Sequence, residues 1–266
     1  MLTELYQTLY ADLVSLASVA GVNEKELQEY FVPEGDATSK SILLRLCSSL
    51  QNSGMMHNSI KFNDKDAPAY RTAIETVMCG FDAKASAAKY ADWTAIYKEI
   101  INTGISDNGS RKKKETNWEK YSRGLYDGIQ FLTIGNGENI IQQLVSTNML
   151  TDTEIGIIGD ISTKIHGLGF TLTCDWLKEC GCDWLAKPDG HVKAVIMHLK
   201  GVDKIKDKDI LREMFSWAEA VKNSGKDSNA TTYKLDKIIW LLCTGKFHLD
   251  GKRTGRKGIY HKIDSI

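Results

Sequence analysis

Apolar residues recur at three- and four-residue intervals through most of the chain, and nowhere do they alternate with polar ones over the length of a strand. Leu2, Leu5, Tyr6, Leu9, Tyr10, Leu13 and Leu16 make one amphipathic stripe over residues 1–20. The next apolar segment is SILLRLCSSLQ, with Ser39 or Ser41 as its cap. Two stretches, YRTAIETVMCGFD and KASAAKYADWTAIYKEIINTG, are split at Gly80. In the second, Tyr90, Trp93 and Tyr97 recur at three and four, the spacing of a core face. Trp118, Tyr121, Leu125 and Ile129 open a further helix, and ENIIQQLVSTNML follows it. Beyond residue 190 come HVKAVIMHL, DILREMFSWAEAV and YKLDKIIWLLCTG. The pattern predicts an all-α protein.

Between 151 and 192 the sequence carries more than a core face. Thr151 and Glu154 stand at capping-box spacing, which starts a helix there. Ile155, Ile158, Ile161 and Ile165 form its buried stripe, which stops at Gly167 and Gly169. Helical spacing resumes through Leu172, Trp176 and Leu177, so the local shape is helix, tight glycine hairpin, helix. Both glycines allow positive φ and close backbone approach. Two readings of the hairpin stand: an ordinary glycine turn, or a cradle whose outward amides and helix dipole favour a phosphate oxygen.

The second helix leads through Gly181 to LAKPDGHV, which places Asp189 18 positions after Thr171. This arrangement resembles the helix-hairpin-helix DNA glycosylase superfamily, where a hairpin of the form L-P-G-x-G precedes an Asp in a V/P-D-x-H segment. Ile165, His166, Gly167, Leu168, Gly169, Pro188, Asp189 and His191 carry the resemblance, over about 40 residues. The later TTYKLDKIIWLLCTGKF looks like the closing helix of a bacterial and phage-associated branch.

The resemblance implies a two-lobed helical fold with a base pocket between the lobes and double-stranded DNA as partner. His166, Gly167, Leu168, Gly169 and Thr171 would meet the DNA, with Lys164 and Lys187 flanking the site. A monovalent cation at the hairpin fits the same family. Thr171 occupies the position where bifunctional members carry a Schiff-base lysine, so strand cleavage by that route is not expected. Members with an iron-sulfur cluster carry four cysteines after the Asp, whereas only Cys243 follows Asp189 here, so no cluster is expected.

Asp189 is the candidate catalytic group. Hydrolysis of an N-glycosidic bond builds positive charge at the sugar C1′, which a fixed carboxylate stabilises. The same carboxylate can orient or deprotonate the attacking water once the base is flipped out. The competing reading is an N-cap following Pro188. His191 is expected to make a structural hydrogen bond.

Composition narrows the class further. With 266 residues and 42% hydrophobic content, the chain can bury one large core or two modest lobes. No apolar run reaches the roughly 18 residues of a membrane span, and the start carries Glu4 without a basic region. An intracellular, cytoplasmic protein near the nucleoid is expected, as a monomer. Six cysteines are widely spread, and Cys174, Cys180 and Cys182 form no CxxC pair, so reduced thiols and no metal are expected. With 34 basic and 34 acidic residues there is no global cationic field for DNA, so any such site must be local. Arg111, Lys112, Lys113 and Lys114 in the loop 104–117 are one basic cluster. From Lys246 to Lys262 six Lys or Arg face the single acid Asp250, a local net of +5, on a tail that either touches phosphates or hangs loose.

Gln51, Asn52 and Met55, in a polar turn-rich stretch, are candidates for the side chain that fills the gap left by a flipped base, against the reading of a surface turn. Trp118 and Tyr121 are candidates to line the base pocket. Three segments are expected: an N-terminal helical lobe at 1–116, a helix-hairpin-helix lobe with Asp189 at 117–200, and C-terminal helices at 201–266 packing back on the first. The leading expectation is a monofunctional DNA glycosylase for a damaged or modified base. The phage-associated branch narrows it to hypermodified pyrimidines of viral DNA, in antiviral defence. The alternatives are a non-catalytic DNA-binding protein and a thymine-hypermodification enzyme on the same scaffold.

Overall fold

Among residues 2–106 and 115–254, which the computed structural model describes, helical periodicity becomes fourteen α-helices, one 3-10 turn and one two-stranded hairpin. In chain order these begin with α1 (Leu2–Ala20), α2 (Glu24–Glu29), α3 (Ser39–Leu50), the 3-10 turn (Ser53–Met55), α4 (His57–Ile60), α5 (Pro68–Val77), α6 (Ala83–Lys89) and α7 (Trp93–Asn102). They continue with α8 (Asn117–Thr133), α9 (Gly137–Thr147), α10 (Asp152–Lys164), α11 (Phe170–Glu179), α12 (Gly190–Lys200), α13 (Asp207–Asn223), α14 (Thr232–Thr244), β1 (Lys246–Phe247) and β2 (Lys252–Arg253). The basic cluster at 111–114 lies outside the described residues, as does the tail beyond 254.

Two compact units emerge, each assembled from separated segments. One comprises Gly35–Thr147 and Thr151–Gly181; the other comprises Met1–Glu34, Asn148–Leu150 and Cys182–Ile266. These edges do not coincide with the boundaries expected at 116 and 200. Asp189 consequently belongs to a different unit from the glycine hairpin, not to the same lobe. Hydrophobic periodicity tells which face of a helix is buried but not which partner covers it, and α1 packs with α13 and α14, some 200 residues later in the chain.

In the unit that holds α3 to α11, α8 is the central bar, packed by α3, α6, α7, α9 and α10. Its close approach to α3 depends on two glycines one turn apart. A Cβ on Gly128 would sit 2.1 Å from Leu46 Cδ2, and one on Gly124 would sit 2.8 Å from Leu50 Cδ2. Tyr121 is fully buried on the same helix and its hydroxyl donates to the Cys47 carbonyl at 3.0 Å. Two local expectations are corrected here. The cap of α3 is Thr38, whose side chain accepts from the Ser41 amide, while the Ser41 hydroxyl accepts from the Asp36 amide. The stretch 84–104 is two helices, because Asp92 turns the chain and accepts from the Ala95 amide at 3.0 Å to start α7.

The other unit is organised on α14, which packs with α1, α12 and α13 and buries every residue except Trp240 and Cys243. A helix buried all round is normally apolar, yet this one carries Lys234, Asp236 and Lys237. Lys234 is accommodated by the Asp227 carboxylate, 2.6 Å from its Nζ, and by the rings of Tyr10 and Phe31, each 5.2 Å away. The Tyr6 hydroxyl donates to the same Asp227 oxygen at 2.5 Å. Burial pushes the Asp227 carboxyl up, but the hydrogen bonds from Lys234 and Tyr6 outweigh it and leave the group below its ordinary value.

The chain just after α14 is not a loose end. Lys246 pairs with Arg253 and Phe247 with Lys252 in an antiparallel ladder. The Tyr30 hydroxyl accepts from the Leu249 amide at 2.9 Å and the Asp250 amide at 3.2 Å, and donates to the Asp250 carboxylate at 2.9 Å.

Candidate nucleic-acid interface

The capping box at Thr151 and Glu154 forms as its spacing requires, starting α10, which buries Ile155, Ile158 and Ile161. The helix ends at Lys164, and Ile165 turns into extended backbone with φ −118. Gly167 then takes φ +79, a conformation that costs any L side chain about 1–2 kcal/mol. Its turn is closed by the Leu168 amide, which donates to the Ile165 carbonyl at 3.1 Å. Leu168 is buried while His166, Gly167 and Gly169 are exposed. The hairpin is thus anchored by Ile165 and Leu168 and presents its glycines to solvent.

Gly169 does not use that freedom: its φ is −64, a value open to any residue. It is the N-cap of α11, and a Cβ built on it meets nothing within 4 Å. Neither a turn nor packing inside the protein therefore requires glycine here. As a cap without a side chain it provides no acceptor for the helix's first amides, and α11 has no acidic residue in its first turn. Its carbonyl accepts from the Leu172 and Thr173 amides, both at 2.9 Å. The amides of Gly167, Gly169 and Phe170 make no hydrogen bond among the described residues. Three donors at a positive helix end are what an anionic oxygen binds.

The amide of His166, by contrast, points inward, donating to Asp127 Oδ2 on α8 at 2.9 Å. The His166 carbonyl lies against Gly124, where a Cβ would come within 2.7 Å of it. On the other flank, Ser53 Oγ would stand 3.3 Å from a Cβ on Gly167. The hairpin therefore rests against α8 through the GLYDG sequence at 124–128 and beside the turn that carries Met55. None of Gly124, Asp127 and Ser53 was expected at the site. Their signal in the sequence is a pair of glycines one helical turn apart, with an acid adjacent to the second.

The candidates outside the hairpin fall into three groups. Met55 is 67% exposed on left-handed backbone with φ +64, and Asn52 is exposed beside it. Gln51, Trp118 and Tyr121 are committed to the interior. The Gln51 side chain accepts from the Asn63 amide at 3.4 Å, and Trp118 stacks on Tyr70 with its ring edge-to-face with Tyr121. Lys164 is exposed at the end of α10, its Nζ 5.7 Å from the Phe131 ring centre. Lys187 is half-buried two residues before Asp189, in the other unit.

No protein-family model, no curated protein and no solved structure matches this chain. What the site can do rests on its own geometry.

Asp189 opens α12 as its N-cap, with Oδ1 accepting from the His191 amide at 2.9 Å and the Val192 amide at 3.2 Å. Its own amide donates to the Lys187 carbonyl at 2.7 Å, a tight turn around Pro188. A helix start, where amides and dipole present positive charge, is a favourable place for an acidic side chain. The His191 link to Asp189 is thus through its backbone. Cys243 of α14 is the neighbouring ionisable group, and burial together with the Asp189 charge pushes its thiol up to about 11. Among the described residues no group of three or more His, Cys, Asp or Glu side chains is placed to hold a metal ion. Among them too, no helix is long and apolar enough to cross a membrane.

Proposed function

We propose that this protein is a monofunctional DNA N-glycosylase. The hairpin at 165–169 holds the phosphate backbone through the amides of Gly167, Gly169 and Phe170, and Asp189 serves the chemistry. In that chemistry the bond between base and C1′ breaks with its electron pair leaving on the base. Water adds to C1′ and gives up a proton, a proton is taken up by the departing base, and the products are the neutral free base and an abasic site. Asp189 stabilises the positive sugar and orients the water. Thr171, in place of an amine nucleophile, leaves no Schiff-base route to strand cleavage at that position.

The observation that carries the reading is the one at Gly169: unengaged amides beside a glycine that the protein itself does not need. Gly169→Val tests it. The substitution puts a branched side chain into the space a phosphate would occupy, and affinity for a short duplex should fall about tenfold or more, while wild-type binding weakens steeply with added salt. Equal affinity in wild type and variant would remove the hairpin from the interface.

One observation favours a second reading, a DNA-binding protein without base excision. Asp189 already has a structural occupation as the cap of α12. The two readings part at Asp189→Asn, because asparagine caps helices as well as aspartate does but carries no charge. Loss of base release with binding retained supports the enzyme.

A further inference from the structure

We propose that Asp127 is the positioning residue of the hairpin, fixing the backbone so that the amides of Gly167, Gly169 and Phe170 face a phosphate together. The inference rests on the reading of the hairpin as a DNA contact and assigns a role to a residue outside it.

Three features carry it. Asp127 Oδ2 accepts the His166 amide at 2.9 Å, a charge-assisted bond to backbone rather than to a side chain. That bond engages the His166 amide, and the Leu168 amide closes the turn, while the amides of Gly167, Gly169 and Phe170 stay unengaged among the described residues. The carboxylate comes from the middle of a 17-residue helix, and Gly124, one turn before it, lets the His166 carbonyl lie directly on that helix. A carboxylate near an anion-binding loop opposes phosphate by charge, so its presence there calls for a return. Holding the loop in its binding geometry supplies that return.

The test compares Asp127→Ala, Asp127→Asn and Asp127→Glu in the full chain. Amide exchange over 165–169, affinity for a short duplex and thermal unfolding are read together. Asp127→Ala should speed exchange in the hairpin and weaken duplex binding, each about tenfold, with the unfolding midpoint lowered by only a few degrees. Asp127→Asn keeps an acceptor oxygen and should restore both to within about twofold to threefold of wild type. Asp127→Glu keeps the charge but moves the acceptor, and should resemble the alanine variant. Unchanged exchange in both the alanine and glutamate variants overturns the proposal, as does faster exchange with duplex affinity unaltered. If wild type binds no duplex at all, the DNA reading fails, and exchange alone then decides whether Asp127 fixes the loop.

Discussion

Gly167 and Gly169 look alike in a sequence and do different work. At φ +79, with Ser53 beside it, Gly167 is required by the turn. At φ −64, facing open space, Gly169 is required by nothing inside the protein. Gly167→Ala should therefore lower stability by about 1–2 kcal/mol, read by thermal or denaturant unfolding. Gly169→Ala should cost about 1 kcal/mol or less, through the weaker cap alone. Equal losses would mean that the turn, not access, governs both positions. Sequence spacing located the hairpin but could not make this distinction, since a glycine's reason is its φ and its neighbours. Asp189 shows the same limit, because a cap and a catalytic carboxylate are written with the same residue at the same helix position.

Among the elements, α8 and α14 set the two cores, and each carries a feature that hydrophobic periodicity does not register. On α8 the feature is absence of side chain. Gly128→Ala forces a carbon to within 2.1 Å of Leu46 Cδ2, and should destabilise by about 1–3 kcal/mol. Leu46→Ala in the same chain relieves the clash, so the double variant should be more stable than the two single losses summed; strict additivity in a double-mutant cycle would contradict the packing described. On α14 the feature is buried charge. Asp227→Asn leaves Lys234 with a poorer partner and should cost about 2 kcal/mol at pH 7, less than for a fully buried pair because Asp227 keeps some contact with water. The folded-state pKa of Asp227 is depressed, so its contribution is complete above the unfolded value of about 3.9 and is lost as pH falls through the lower folded value. The stability gap between wild type and Asp227→Asn, measured by urea unfolding at pH 7 and pH 3, should narrow at pH 3. Long helices were legible where the signal is strong: α1 from its apolar stripe, and α10 because stripe and cap agree. The break between α6 and α7 was not, because apolar spacing runs on across Asp92.

For the molecule as a whole, sequence order misleads about what belongs together. Residues 1–34 form one unit with the chain after 181, so the all-α class was readable but the division was not. Partners that lie two hundred residues apart leave no trace in a local pattern. Deleting residues 1–34 should strip α1 from α14 and abolish cooperative unfolding of that unit, followed by circular dichroism; a native-like transition in the truncated chain would contradict the assignment. With a formal charge of zero, the proposed DNA binding would have to come from local groups, and the proposal assigns it to the hairpin amides. The most direct measurement is mass spectrometry of bases released from normal, damaged and hypermodified phage DNA, paired with an abasic-site assay, for wild type and Asp189→Asn. The expected result is one class of free base with matching abasic sites from wild type and none from Asp189→Asn. Intact DNA across the panel, or equal release by Asp189→Asn, would contradict the glycosylase reading.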